Sequence, residues 1–124
     1  MKRPFLCLAA LAALAPVAAQ SAPQAKATII LTSYRYSPTP IYLAGGVPVR
    51  IMITNRAGQA HEFVAPEFFR KARLLKGRVV QGKVRVASGG TQFIDLVPAR
   101  GTYKVNCGRF GHKMLGMSTM IIVT

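Results

Sequence analysis

The chain has 124 residues, of which 17 are Lys or Arg and only 3 are Asp or Glu, giving a formal net charge of +14 at pH 7. This length suits one domain around one core, and no internal repeat or change of composition points to a second domain. The charge attracts acidic partners or polyanions, without distinguishing between them.

The first 20 residues have the features of a secretory signal peptide. Lys2 and Arg3 precede an apolar run from Phe5 to Ala15, and small residues follow it. A membrane span needs about 20 apolar residues, whereas Pro16 interrupts this run early. We therefore predict a signal peptide over residues 1–19, a periplasmic location and no membrane span in the mature chain.

Cleavage after Ala19 leaves 105 of the 124 residues. It removes Cys7, so that Cys107 is the only thiol of the mature chain. A single exported thiol is buried and inert, paired with another chain, or bound to a metal. Residues 20–27 are a short polar lead, and the domain is predicted over residues 28–124.

Short runs rich in β-branched and aromatic residues follow the lead. In one of them Val49, Ile51 and Ile53 alternate with residues of the opposite face, as in a half-buried strand. Glycine and proline residues supply turns between the runs. The pattern predicts an all-β domain, an antiparallel β-sandwich of about seven or eight strands. The runs are ATIILTS, PIYLA, PVRIMIT, KVRVAS, TQFIDL, TYKVNC and STMIIVT.

The segment APEFFRKARLL has helical character instead. Pro66 suits the first helical position, and Phe68, Ala72 and Leu75 would share one face of a helix. We expect one short helix lying across an edge of the sandwich.

The most basic segment is RKARLLKGRVVQGKVR, residues 70–85, with seven Lys or Arg and no acid. It lacks the interleaved aromatic side chains on which the bases of single-stranded nucleic acid stack, so nucleic acid is not an expected partner. The segment is either a solvated face or a docking patch.

The stretch CGRFGHKMLGM places three metal-binding side chains at intervals of five residues, Cys107, His112 and Met117. In the strand before it, Tyr103 and Val105 alternate onto the same face as Cys107, which turns the thiol inward. Glycines in the loop allow the other two side chains to approach the sulfur.

A further ligand must come from another part of the chain, and His61 is the only other histidine. If the strands at 49–54 and 103–107 lie on facing sheets, His61 closes the site from the opposite side.

This set of side chains favours copper. Two imidazoles, a thiolate and a weak axial thioether suit both Cu(I) and Cu(II) with little rearrangement, whereas zinc gains little from a thioether. A cysteine nucleophile with a histidine base needs an oxyanion donor and an orienting acid, and neither is evident. Zinc or another metal, thiol catalysis and an inert buried thiol remain as alternatives.

From Thr28 to Val123 the chain resembles the cupredoxins, the small blue copper proteins of the plastocyanin, azurin and rusticyanin group. The resemblance implies a Greek-key β-sandwich holding one type 1 copper ion through His61, Cys107, His112 and axial Met117. The loop spacing looks most like that of rusticyanin. The matching pieces are TSYRYSPTPIYLAGGVPVRIMITN, HEF, RGTYKVNC, the Cys-x4-His-x4-Met loop and GMSTMIIV.

Neighbouring residues leave details of this site open. Met114 and Met120 are assigned to packing, because the first follows the loop histidine closely and the second belongs to the last strand. Many cupredoxins carry Asn after the first ligand histidine, where this chain has Glu62. That carboxylate is expected to be protonated, to turn outward, or to pair with Arg109 or Lys113. The redox potential and the spectral subtype depend on which of these occurs.

The resemblance implies an exported one-electron carrier, not an enzyme. Its electron port would be His112, which in the family reaches the surface through an apolar patch. The residues that either form this patch or pack within the loop are Phe110, Gly111, Leu115 and Gly116. The expected partner is an acidic redox protein, such as a cytochrome or an oxidase domain. The protein itself is expected to be a monomer. The alternatives are a carrier or resistance protein that delivers copper instead of electrons, and a metal-free basic binding domain.

Overall fold

The computed structural model of the protein describes residues 15–16, 24–109, 111 and 115–124. Within these residues the chain forms ten β-strands and one α-helix. In chain order they are β1 (Ala25–Thr32), β2 (Arg35–Ser37), β3 (Ile41–Leu43), β4 (Val49–Asn55), β5 (His61–Val64), α1 (Pro66–Lys71), β6 (Arg73–Lys76), β7 (Lys83–Val86), β8 (Thr91–Val97), β9 (Gly101–Asn106) and β10 (Ser118–Val123).

The strands form two five-stranded sheets, ordered β2-β1-β4-β8-β6 and β3-β10-β9-β5-β7. The predicted β-sandwich with one short helix is confirmed. The sheets are mixed, however, because β1 pairs in parallel with β4, and β10 pairs in parallel with β3. The first parallel pair arises because the chain crosses to the second sheet as β3 before it returns as β4 beside β1.

Seven of the strands correspond to predicted runs, whereas β2, β5 and β6 do not. Each of these three has only three or four residues. Short segments contain few side chains from which an alternating pattern can be recognised, although β3 and β7, which are equally short, lie within predicted runs.

The core lies between the sheets and follows the predicted alternation. Ile51 and Ile53 of β4 and Ile94 of β8 are at most 1% exposed, as are Val105 and Ile121 of the other sheet. Complete burial of a side chain of this size stabilises the fold by about 1.5–3 kcal/mol. These residues determine which face of each strand points inward.

Helix α1 is shorter than predicted. It begins at Pro66 as expected but ends at Lys71, and Ala72 is already in extended conformation, with ψ at 152°. The next residues form β6, in which Arg73 pairs with Val97 of β8. Backbone pairing with a neighbouring strand therefore overrides the helical periodicity, and Leu75 is exposed instead of lying on a buried helix face.

The sandwich begins at Ala25, three residues before the predicted domain start. Ala25 pairs with Val49 of β4, so part of the predicted lead belongs to the sheet. The predicted signal peptide lies almost entirely outside the described residues. No helix in the described part of the chain is long and apolar enough to cross a membrane.

Candidate metal centre

The candidate centre lies at one end of the second sheet, where three neighbouring strands begin or end. His61 is the first residue of β5, Cys107 directly follows β9, and Met117 directly precedes β10. These strands lie side by side in the order β10-β9-β5 and are antiparallel. The fold thus brings three of the four predicted ligands to the same end of one sheet.

His61 reaches this end from a strand beside β9 and not from the facing sheet. The strands at 49–54 and 103–107 do belong to different sheets, as β4 and β9. After β4, however, the chain crosses over and enters the second sheet as β5. The expected approach from the opposite side is therefore wrong, because periodicity shows which face of a strand is buried but not which strand lies beside it.

Cys107 and His61 lie at a spacing that a shared metal ion would require. Sγ of Cys107 is 3.9 Å from Nδ1 of His61, and the two residues are 2% and 0% exposed. Metal bonds of about 2.3 Å to sulfur and about 2.0 Å to imidazole nitrogen, in a trigonal arrangement, separate the two donor atoms by about 3.7 Å. The observed spacing fits a metal bound by both residues.

The sulfur of Cys107 also accepts a hydrogen bond from the backbone. The N–H of Glu62 lies 3.4 Å from Sγ. A backbone donor stabilises negative charge on its acceptor, and the thiolate is the form of cysteine that binds metals. The residue after His61 therefore supports the metal-binding state of Cys107 through its peptide group.

Met117 is held beside Cys107 by the backbone. The N–H of Cys107 donates to the carbonyl oxygen of Met117 over 3.1 Å, and the side chain of Met117 is fully buried. Met120 lies in β10 and is half-buried, on the opposite strand face from Ile121. Met120 therefore belongs to the last strand, as predicted, and lies on the face that points away from the core.

The described residues contain only part of the predicted ligand set. Among them, no group of three or more His, Cys, Asp or Glu side chains could hold a metal ion. His112 and Met114 lie outside the described residues. The second imidazole ligand, and with it the complete set, stays a prediction.

Asn55 organises the loop that delivers His61, and sequence reasoning missed it. Its side-chain N–H groups donate to the carbonyl oxygens of Gln59 and Val86 over 2.8 and 3.0 Å. Its side-chain oxygen accepts from the N–H of Ala57 over 2.9 Å. Asn55 is fully buried, so these bonds hold the loop before His61 in one conformation. An Asn directly before a Gly-containing segment is a turn signal that could have identified it.

The carboxylate of Glu62 pairs with a cation that was not predicted. Oε1 lies 3.7 Å from Nζ of Lys83, on the neighbouring strand β7. Gly108 leaves room for the carboxylate, since a Cβ at that position would overlap with Oε2. Of the two expected partners, Arg109 forms no salt bridge among the described residues, and Lys113 lies outside them.

Tyr36 fixes the position of Glu62 from the core side. Its hydroxyl donates to the carbonyl oxygen of Glu62 over 2.7 Å. Burial raises the pKa of the Tyr36 phenol, and the nearby charges of Cys107 and Glu62 raise it further. The hydroxyl therefore stays protonated and remains a donor at neutral pH.

Part of the predicted apolar patch lies at the surface. Leu115 is 59% exposed, and its N–H donates to the carbonyl oxygen of Gly111 over 3.2 Å. Phe110 lies outside the described residues. Leu115 therefore presents an apolar surface between the ends of the loop that begins at Cys107 and ends at Met117.

Comparison with known proteins identifies the fold in two ways. A family model described as a cupredoxin-like domain matches residues 4–123. The structure of auracyanin B is 17% identical, with a TM-score of 0.62, and the match covers 85% of this chain and 92% of that one. Auracyanin from the photosynthetic bacterium Roseiflexus castenholzii, reduced with dithionite, is 18% identical, with a TM-score of 0.61 and coverage of 84% and 99%.

Larger proteins share the fold over part of their length. A multicopper oxidase from Campylobacter jejuni, described as a metallo-oxidase, is 12% identical with a TM-score of 0.62, and the match covers 84% of this chain but 31% of the oxidase. Among curated protein sequences, none matches this chain. Similarities at these low identities concern the fold alone.

Proposed function

Since the chain belongs to the cupredoxin-like family, we propose that it is an exported blue copper protein that carries single electrons between redox partners. The observation that carries this proposal is the buried pair of Cys107 Sγ and His61 Nδ1, 3.9 Å apart. Thiolate and imidazole at this spacing are the donors that a type 1 copper site needs. We propose that His112 and Met117 complete the set.

Copper bound by these residues would supply a one-electron couple between Cu(II) and Cu(I). The protein's part is to keep the ligands in nearly the same positions in both states. Asn55 holds the loop before His61 through three hydrogen bonds, and the backbone bond to Met117 holds Cys107. Burial of Cys107 and His61 keeps water away from the thiolate.

The auracyanins among the similar structures support an electron carrier as the proposed role. The chain matches 92% and 99% of two auracyanins, but between 29% and 45% of three multicopper oxidases. One of those auracyanins was studied after reduction with dithionite, so that protein accepts electrons. By analogy with that protein, we propose that this domain accepts and releases single electrons and does not turn over a substrate.

The proposed setting is the periplasm, reached through the signal peptide predicted over residues 1–19. After loss of Lys2 and Arg3 the mature chain has 15 basic and 3 acidic side chains. Such a surface speeds its association with an acidic redox partner, such as a cytochrome or an oxidase domain. The mature N-terminus is expected near Gln20, and an intact Met1 in the periplasmic fraction would refute the export.

The decisive experiment is addition of Cu(II) to the purified mature protein. We expect one copper per chain, an intense visible absorption from the bond between thiolate and copper, and a matching paramagnetic resonance spectrum. Cys107→Ser should abolish the colour, and the control Met120→Leu should keep it. A Cys107→Ser protein that stays blue would refute the site.

A second measurement separates electron transfer from copper delivery. A delivery protein must release its metal to a partner, whereas a carrier must retain it through many redox cycles. We expect the copper content to stay constant when the protein is cycled in the presence of a Cu(I) chelator. Rapid loss of Cu(I), combined with slow electron exchange at every ionic strength, would instead support delivery.

A further inference from the structure

A concave groove of about 510 Å³ lies beside the candidate metal centre, at the edge of the sandwich formed by β7. Lys83 and Arg85 point into it from the outer face of β7, where they alternate with the buried residues Val84 and Val86. Arg78 lines it from the loop between β6 and β7. The groove is therefore bordered by three cations from two segments.

The loop that carries Arg78 is held in shape. Val80 and Lys83 exchange backbone hydrogen bonds of 3.0 and 3.1 Å. Gly82 has a φ of 73°, and a Cβ there would collide with Pro66. A loop closed in this way holds the backbone of Arg78 near β7, so the groove is built before any ligand arrives.

The chain's own acids neutralise this groove only in part, because Glu62 is the one carboxylate among the described residues that line it. The chain has three acidic side chains, and each is already paired: Asp95 with Arg50, Glu67 with Arg70 and Glu62 with Lys83. Within the described residues, neither Arg78 nor Arg85 takes part in a salt bridge. The carboxylates that these two guanidinium groups can bind must therefore come from another molecule.

The lining favours a peptide over other polyanions. Val80, Ala87 and Gln92 lie among the cations, which provides apolar contact and an amide next to the charges. Among the described residues, the lining has no aromatic side chain on which a nucleic-acid base could stack. A concave groove at a sheet edge also fits an extended segment better than the flat surface of a membrane.

We propose that this groove binds an acidic segment of the redox partner, with carboxylates on Arg78 and Arg85. This inference rests on the proposed function, because Glu62 both lines the groove and donates its N–H to Sγ of Cys107. A segment docked there contacts the residue whose backbone N–H donates to the sulfur of Cys107. Part of the basic segment at 70–85 is thus proposed to be a specific docking site and not only a solvated face.

The test uses a fluorescein-labelled ten-residue peptide of alternating Glu and Ser, with a Gln and Ser peptide as its neutral control. Binding to the mature protein is measured by anisotropy, with and without copper. The variant Arg78→Gln/Arg85→Gln is compared with Arg35→Gln/Arg100→Gln, which removes the same charge from exposed positions outside the groove. Lys83 is left intact because it pairs with Glu62.

We expect the groove variant to weaken binding of the acidic peptide by about tenfold or more, the effect of losing charge-assisted hydrogen bonds, and the control variant by less than about threefold. If both variants weakened peptide binding equally, the binding would be explained by the overall charge of the protein, and the inference would be overturned. Equal binding of the Gln peptide, or tighter binding of anionic lipid vesicles that depends on Arg78 and Arg85, would also overturn it.

The two proposals fail separately. Peptide binding that depends on Arg78 and Arg85 but occurs in a protein that never binds copper would refute the electron carrier and leave an acidic docking site. If the protein is blue and redox-active but its peptide binding does not depend on these residues, the docking site is refuted and the electron-carrier proposal stands.

Discussion

The backbone N–H of Cys107 donates to the carbonyl oxygen of Met117 over 3.1 Å. This bond extends the antiparallel pairing of β9 and β10 beyond Asn106 and Ser118. It therefore ties together the two ends of the loop that contains His112. The pairing of these two strands therefore positions two predicted ligands, Cys107 and Met117.

Met117→Leu should keep copper but raise the reduction potential. Loss of the thioether removes an electron-pair donor, which costs the more highly charged Cu(II) more than Cu(I). A tenfold change in the relative affinity for the two oxidation states corresponds to about 59 mV for one electron. Leu has a similar volume, so the free energy of unfolding should fall by less than about 1.5 kcal/mol. Voltammetry of both proteins measures the shift.

The control for this substitution is Met120→Leu, which changes a half-buried thioether on β10. Met114→Leu provides a second control within the loop. Both should leave the potential nearly unchanged. A larger shift in either control than in Met117→Leu would show that the axial ligand has been assigned incorrectly.

Asn55→Ala should lower the free energy of unfolding by about 3 kcal/mol, because it leaves buried backbone groups without their hydrogen bonds. The carbonyl oxygens of Gln59 and Val86 lose donors, and the N–H of Ala57 loses an acceptor. Urea denaturation of the copper-free protein measures this loss. Copper should also dissociate faster, because the loop before His61 is no longer held.

Ser88→Ala is the matched control, since Oγ of Ser88 makes one bond to the same loop, with the carbonyl oxygen of Ala57 as acceptor at 2.7 Å. Its cost should be about 1 kcal/mol. If Asn55→Ala were no more destabilising than Ser88→Ala, Asn55 would not be the residue that organises the loop.

Gly108→Ala should conflict with Glu62. The added methyl group would overlap with Oε2 of Glu62 and lie 3.3 Å from Cγ2 of Val64. We expect a loss of about 1–3 kcal/mol in the free energy of unfolding. In a Glu62→Ala background most of that loss should disappear, which a double-mutant cycle by urea denaturation detects. Additive effects would mean that the carboxylate moves aside without cost.

Asp95→Asn should make the protein less sensitive to acid. Two hydrogen bonds of 2.8 Å from Arg50 hold the pKa of Asp95 below its ordinary value. The folded protein therefore resists protonation of Asp95 more than the unfolded chain does. Its contribution is complete above about pH 4, the pKa of an unfolded Asp, and is lost as the pH falls through the lower folded value.

Thermal unfolding between pH 2 and 6 checks this prediction. The wild-type protein should lose more stability than Asp95→Asn as the pH falls below about 4. Glu67→Gln is the control, since Glu67 also has a lowered pKa beside Arg70 but its side chain is 64% exposed, against 11% for Asp95. Solvent screening leaves such a pair little effect on stability, so a pH response as large as that of Asp95→Asn would contradict the assignment.

Periodicity predicted several features of the fold because burial on one face is a local property of a strand. The alternation of Tyr103, Val105 and Cys107 correctly indicated that all three side chains point inward. Spacing alone made Cys107, His112 and Met117 candidates. His61 was a candidate for a different reason, because the chain has no other histidine outside the loop.

Strand neighbours were not predictable in the same way. That β5 lies beside β9, so that His61 and Cys107 share one sheet, depends on pairing between residues more than forty positions apart. The early end of α1 has the same origin, because Arg73 pairs with Val97 on a distant strand. Neither contact produces a periodic sequence pattern in the two segments that form it.

The sequence by itself therefore determined the class of fold, the inward face of each long strand and the candidates for metal binding, all of which follow from residue type and local spacing. Only the tertiary structure decided that Asn55 holds the loop before His61, that Glu62 pairs with Lys83 and that a basic groove adjoins the site. Hydrogen bonds, ion pairs and cavities of this kind join residues far apart in the chain, and their partners exist only after the two sheets have packed together.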